Sequence, residues 1–361
     1  MYDHSMNISS LSPLHSVEMV KHKLTLPTQL ATQINTQREE IAQILVGNSD
    51  KLLVIAGPCS IHDIDATVEY GQKLKQLSTK HQDNLLIIMR TYLEKPRSIN
   101  GWKGFINDPY LDASYHFNDG ISQARQLLLT LNNMGLPCAT ELLTQAYCPY
   151  LIDLLSWVSI GARTVESQPH RELASGLPCP VGFKNSTDGN IQVAINAVLC
   201  AKKSHVIHHQ LANQGMCTSQ TQGNDNSHIV LRGGIKPNYQ SINITNTCHL
   251  LAANELTPNV IVDCSHGNSE KNHNNQNVVA NELARQLASG SRQIAGVMLE
   301  SFLVEGKQEI APLNQLTYGQ SITDACIDFT ETENIITSLS QAIVERRQRL
   351  GPLQLEHSIR A

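Results

Sequence analysis

The chain has 361 residues, 41% of them hydrophobic, with 27 basic and 32 acidic side chains and a formal net charge of -5. Such a chain is long enough to bury a large core, as two modest domains or one large barrel. It has neither the basic excess of a nucleic-acid binder nor an apolar run of membrane-spanning length, so neither nucleic acid nor membrane is an expected partner.

The first residues, among them His4, Asn7, Ser9 and Ser10, lack the basic-then-apolar pattern of a secretory signal. Nine cysteines, an odd number with no Cys-x-x-Cys pair, point to reduced thiols and a cytoplasmic protein. Residues 1–46 read as a polar N-terminal extension, with a helical stripe of Ile34, Ile41, Ile44 and Leu45 over 32–46. From Lys51 a regular alternation begins. Strand-length apolar runs occur at 52–56, 85–89, 139–143, 157–160, 181–183, 205–208, 260–262 and 294–299.

Helical periodicity lies between them. Asp119 is the expected N-cap of a helix over 119–134 whose face is Ile121, Ala124, Leu128 and Leu131, with Gly135 suited to its C-terminal turn. Ile191, Ala194, Val198 and Ala201 repeat the pattern, as do Val279, Leu283 and Leu287. A last helix carries Ile336, Leu339 and Ile343, and its basic end at Arg346, Arg347 and Arg349 suits the negative pole of the helix dipole. Eight strands alternating with helices predict a parallel α/β sheet covered on both faces, and an eightfold (β/α) TIM barrel fits the count better than an open sheet. The polar stretch 210–232 reads as a hairpin insertion after strand 6. The expected organisation is an extension at 1–46, a catalytic barrel at 47–350 and a tail at 351–361.

In such a barrel the C-terminal strand ends build the active site. Here they supply Cys59, Arg90 followed by Lys95 and Arg97, then Glu141, Arg163, Lys184, Arg232, Asp263 with His266, and Glu300, while Asp324 follows in a later loop. Six of these are cations. Arg90, Lys95, Arg97, Arg163, Lys184 and Arg232 on one rim would repel one another unless anions filled the site, so the implied ligand carries more than one anionic group. Singly, each could instead be a surface ion-pair partner. Cys59, His266, Glu300 and Asp324 form a mixed donor set that accepts Mn, Fe, Co or Zn without strong discrimination. A loop cap for Asp324, a satisfied turn residue for His266 and a packing role for Cys59 are equally open on chemistry alone.

The motifs Gly57-Pro58-Cys59-Ser60, Lys95-Pro96-Arg97-Ser98, Gly101-Trp102-Lys103-Gly104, Gly161-Ala162-Arg163-Thr164, Gly182-Phe183-Lys184-Asn185, Leu231-Arg232-Gly233-Gly234, Asp263-Cys264-Ser265-His266, Glu300-Ser301 and Ser321-Ile322-Thr323-Asp324 occur in this order. Together they resemble class I 3-deoxy-D-arabino-heptulosonate 7-phosphate (DAHP) synthases of the feedback-regulated type, from about Lys51 to Arg347. The resemblance implies a metal-dependent barrel enzyme condensing phosphoenolpyruvate with erythrose 4-phosphate, the first step of the shikimate pathway. It implies one divalent metal held by Cys59, His266, Glu300 and Asp324. Phosphoenolpyruvate falls to Arg90, Arg163, Lys184 and Arg232 with Glu141 beside them, the reacting aldehyde to Lys95, and the sugar phosphate to Arg97 and Ser98. It also implies a homo-oligomer, dimer or tetramer, inhibited by an aromatic amino acid. Three departures stand out: Pro178 where regulated relatives commonly carry Ser, the segment 205–223 with Ala212-Asn213-Gln214-Gly215, and Ser186 in place of a Gly.

Overall fold

The computed structural model describes residue 7, residues 11–211 and residues 215–351. The expected tail beyond Gly351, most of the first ten residues, and Ala212, Asn213 and Gln214 lie outside the described residues.

Eight parallel strands close into a barrel: β1 (Leu52–Gly57), β2 (Leu85–Arg90), β3 (Cys138–Glu141), β4 (Trp157–Ile160), β5 (Val181–Lys184), β6 (Ser227–Leu231), β7 (Val260–Asp263) and β8 (Ile294–Glu300). Each pairs with its neighbours in sequence and β8 closes on β1, with Leu53 opposite Gly296 and Gly57 opposite Glu300. Apart from half-buried Leu86, every strand residue is buried, as expected where side chains point alternately into the barrel and onto the helices. Inside the barrel, Leu53, Ile55, Ile88, Ala139, Trp157, Val230, Ile261 and Met298 pack with Ile41, Ile44 and Leu45. Those last three belong to the helix Thr28–Leu45, whose final turn therefore closes the barrel floor. Among the described residues, no helix is long and apolar enough to cross a membrane.

Three sequence expectations are corrected. The run 205–208 is not the sixth barrel strand, and the hairpin does not follow strand 6. Val206–Leu211 and Gly215–Gln220 pair antiparallel as a separate hairpin between β5 and β6, and the sixth strand is Ser227–Leu231, inside the stretch read as loop. Val206 is 58% exposed, whereas Ser227 and His228 are buried although polar. Asp119 does not cap its helix. The helix Phe117–Asn133 follows His116, and Asp119 sits in its first turn, where the dipole still favours a carboxylate.

His228 is the polar residue that most disguises β6. Its Nε2 accepts from Trp157 Nε1 at 3.1 Å and its Nδ1 bonds the Asn226 carbonyl at 3.0 Å, so the neutral ring is satisfied. Burial pushes His228 from the ordinary 6.5 down to about 4. The unfolded chain therefore takes up a proton that the folded chain refuses. This stabilisation is complete above pH 6.5 and is lost as pH falls toward 4, a change of about 3 kcal/mol. Urea unfolding at pH 7 and pH 4.5 is expected to show a smaller difference in His228→Gln than in the parent; equal differences would count against the linkage.

Candidate active site

The apolar run of β1 ends where a side chain at Gly57 would stand 2.5 Å from the Arg90 carbonyl oxygen, so glycine permits the close approach of β1 and β2. Pro58 then turns the chain and delivers Cys59, fully buried, beneath the C-terminal mouth of the barrel. Arg90, 1% exposed at the end of β2, ties three strand ends together. It donates to the Pro58 carbonyl at 3.1 Å, the Cys59 carbonyl at 3.2 Å and Glu300 Oε1 at 2.7 Å. Its guanidinium also lies 3.5 Å from the Tyr92 ring centroid, a stacking partner that sequence patterning did not single out.

Cys59, Glu300 and Asp324 place one donor atom each within 4.8 Å of one another, a spacing suited to a shared cation. Lys95 already puts a positive charge there. Its ammonium is 2.8 Å from Cys59 Sγ and 2.7 Å from Asp324 Oδ2. Burial alone would lower the Lys95 pKa, but Cys59, Asp324 and Glu300 raise it above the ordinary lysine value. Burial pushes Asp324 up, yet Lys95 and His266 pull it well below the usual carboxylate range. Burial and the nearby Glu300 push the Cys59 thiol up to about 11, so only a strong positive charge would take its proton. A soft donor beside two carboxylates, already gripping an ammonium, fits a divalent metal.

His266 stands at the edge of this group, Nε2 being 3.8 Å from Glu300 Oε1. It adopts a left-handed φ of 59° in the turn after β7. Ser265 Oγ donates to Asp263 Oδ1 at 2.6 Å and lies 2.7 Å from His266 Nδ1, which turns Nε2 toward Glu300. Asp263, fully buried, also pairs with Lys184 Nζ at 3.0 Å and His266 Nδ1 at 3.0 Å. It stood among the strand ends, but its bridging role depends on contacts no local motif encodes.

A cavity of about 450 Å³ opens above these groups. Its lining brings together Arg90, Lys95, Arg97, Glu141, Arg163, Lys184, Arg232, His266, Glu300 and Asp324, and adds Lys271 and Lys307, which sequence reasoning missed. Cys59 lies below the lining, under Lys95, and Ser98 is exposed outside it. A side chain at Gly161 would strike Glu141 Oε1 at 2.1 Å, so glycine there makes room for that carboxylate. Among the described residues, exposed Arg163 makes no ion pair, and the Arg232 guanidinium bonds only the Gly233 carbonyl, at 3.3 Å. Arg97 Nε donates to the Trp102 carbonyl at 2.8 Å, closing the 95–104 loop on itself. Ser186 is buried after β5 and bonds Asp188 and the Asn190 carbonyl, pinning that turn.

On the barrel's outer side, Asn224 Nδ2 bonds the carbonyls of Ala174, Leu177 and Cys179, and Ser175 Oγ is 2.6 Å from Thr221 Oγ1. The loop carrying exposed Pro178 is thereby held against the base of the hairpin.

Residues 29–337 match the DAHP synthetase I family. The Trp-sensitive phospho-2-dehydro-3-deoxyheptonate aldolase of Escherichia coli strain K12 is 48% identical over 317 residues, covering 88% of this chain and 91% of that protein. The enzyme of the same name from Buchnera aphidicola subsp. Schizaphis graminum is 44% identical over 336 residues, 93% of this chain and 97% of that one. The solved structure of phospho-2-dehydro-3-deoxyheptonate aldolase from Francisella tularensis SCHU S4 superposes with a TM-score of 0.92 at 45% identity, covering 94% of this chain and 100% of that chain.

Proposed function

The chain belongs to the DAHP synthetase I family, and we infer that it condenses phosphoenolpyruvate with D-erythrose 4-phosphate and water to 3-deoxy-D-arabino-heptulosonate 7-phosphate and phosphate. This is the first step of the shikimate pathway to the aromatic amino acids. The observation that carries the reading is one pocket lined by Arg90, Lys95, Arg97, Arg163, Lys184 and Arg232 above Cys59, Glu300 and Asp324.

In this reading Arg163, Lys184 and Arg232, with Arg90 behind them, hold the carboxylate and phosphate of phosphoenolpyruvate, and Glu141 lies among them. Arg97 and Ser98 take the sugar phosphate, which leaves the aldehyde beside Lys95. Holding both anions converts a random encounter into an oriented one. The methylene carbon attacks the aldehyde carbon, and the Lys95 ammonium gives its proton to the carbonyl oxygen as that oxygen becomes a hydroxyl. Water adds to the electron-poor C2 and loses a proton, which restores the one Lys95 gave up, and the resulting hemiketal phosphate becomes a ketone as its hydroxyl proton leaves with the expelled inorganic phosphate. Cys59, His266, Glu300 and Asp324 would hold one divalent ion, Mn, Fe, Co or Zn, which when bound supplies Lewis acidity to the aldehyde oxygen.

Purified protein given phosphoenolpyruvate and erythrose 4-phosphate is expected to release phosphate and form the seven-carbon product. Chelator should stop the reaction, and arabinose 5-phosphate should not replace the four-carbon sugar. Turnover of arabinose 5-phosphate alone would overturn the assignment.

Tryptophan is the proposed effector. Support comes from the Trp-sensitive name of the relatives and from the contact between the Pro178 loop and the hairpin base. Titration with Trp is expected to inhibit, with Phe and Tyr much weaker; indifference to all three would count against feedback. A homo-oligomer, dimer or tetramer, is part of the same proposal, and light scattering of the purified protein reports it directly.

A further inference from the structure

Lys307 belongs to none of the motifs and to neither residue group read from the strand ends, yet it lines the active-site cavity. It ends the short strand Val304–Lys307, which pairs with Gln320–Ser321, and Gly306 bridges to Cys326. Gly306 has φ of 85°, a left-handed turn that breaks the alternation of the strand. Glu305 consequently lines a different cavity, with Asn274 and Asp328, while Lys307 lines the same cavity as Asp324 and Ala325. Among the described residues the Lys307 ammonium has no hydrogen bond and no ion pair, although the Asp324 carboxylate lines the same cavity. That carboxylate is already engaged by Lys95 at 2.7 Å.

We propose that Lys307 binds the phosphate of the sugar-phosphate substrate, acting with Arg97 as a two-cation clamp at the mouth. This rests on the condensation reading above. The reacting aldehyde belongs beside Lys95 and Asp324, and the phosphate of a four-carbon sugar must lie several ångströms outward from it. Arg97 and Lys307 are both exposed and line the same cavity. Among the described residues the Arg97 guanidinium spends only its Nε, on the Trp102 carbonyl, so its terminal nitrogens and the Lys307 ammonium remain as donors. A phosphate dianion is matched better by two such groups than by one.

The test is steady-state kinetics of the metal-loaded enzyme carrying Lys307→Gln or Lys307→Arg. Lys307→Gln is expected to raise KM for erythrose 4-phosphate roughly 10-fold, with kcat and the KM for phosphoenolpyruvate within about 2-fold of the parent. Lys307→Arg should restore most of the affinity, and the salt dependence of kcat/KM for the sugar should weaken in Lys307→Gln. An unchanged sugar KM, or a rise confined to phosphoenolpyruvate, overturns the assignment. Failure of the parent itself to use erythrose 4-phosphate would instead refute the underlying condensation reading.

Discussion

Replacing Cys59 with alanine is expected to abolish metal-dependent turnover while leaving the barrel folded. Cys59 Sγ shares a 4.8 Å group with Glu300 and Asp324, so its loss removes the one soft donor. Lewis-acid assistance is worth several kcal/mol, and activity should fall by at least about 100- to 1000-fold. Stability should change by only about 1 kcal/mol, because the substitution deletes a single buried sulfur. Burial holds the thiol near 11, so binding a divalent ion at neutral pH must expel its proton. Titration of the parent with Mn or Zn in weak buffer should therefore release protons, and Cys59→Ala should lose that component together with affinity. Cys326→Ala supplies the control. Its thiol is equally buried and accepts the Cys59 backbone N–H at 3.4 Å, but it is outside the donor group. Retained metal binding in Cys59→Ala, or equal loss in Cys326→Ala, would remove Cys59 from the ligand set.

The site could be read from the chain because a parallel barrel sends each apolar run to the same rim, so that whatever follows the run belongs to the mouth. That rule finds Arg90, Lys184 and Glu300, which end β2, β5 and β8. It fails where burial is not signalled by apolarity. Ser227 and His228 open β6 as polar residues, and only the distant Trp157 makes His228 a satisfied core side chain. The β-branched Val206 and Ile207 belong to a hairpin arm that leaves Val206 largely in solvent, so the stronger local pattern marks the wrong segment. Lys307 was hidden for a related reason. The left-handed Gly306 and the pairing with Gln320–Ser321 bring it to the pocket, and that pairing is not local in sequence. The Ile41, Ile44 and Leu45 stripe was visible, but its destination inside the barrel floor was not.

Asp263→Asn is expected to damage stability and catalysis together, because one carboxylate holds two otherwise separate parts of the site. Its Oδ2 is 3.0 Å from both Lys184 Nζ and His266 Nδ1, and its Oδ1 accepts from Ser265 N and Oγ at 3.0 and 2.6 Å. Burial would push this carboxyl up, but Lys184 and His266 hold it well below the ordinary range, so it is a permanent anion. The amide preserves shape and loses charge. Lys184, only 2% exposed, would then face amide hydrogens in a buried setting, at a cost of about 3–5 kcal/mol. Freed from its orienting carboxylate, His266 should weaken metal affinity about 10- to 100-fold, and a displaced Lys184 should raise KM for phosphoenolpyruvate. Adding Lys184→Met separates the two effects. With both charges gone the denaturation midpoint should recover most of the loss, since no buried charge is stranded, whereas turnover should stay low because the substrate has lost a cation. A single variant that unfolds and turns over like the parent would show that the Lys184–Asp263–His266 bridge holds neither the fold nor the site.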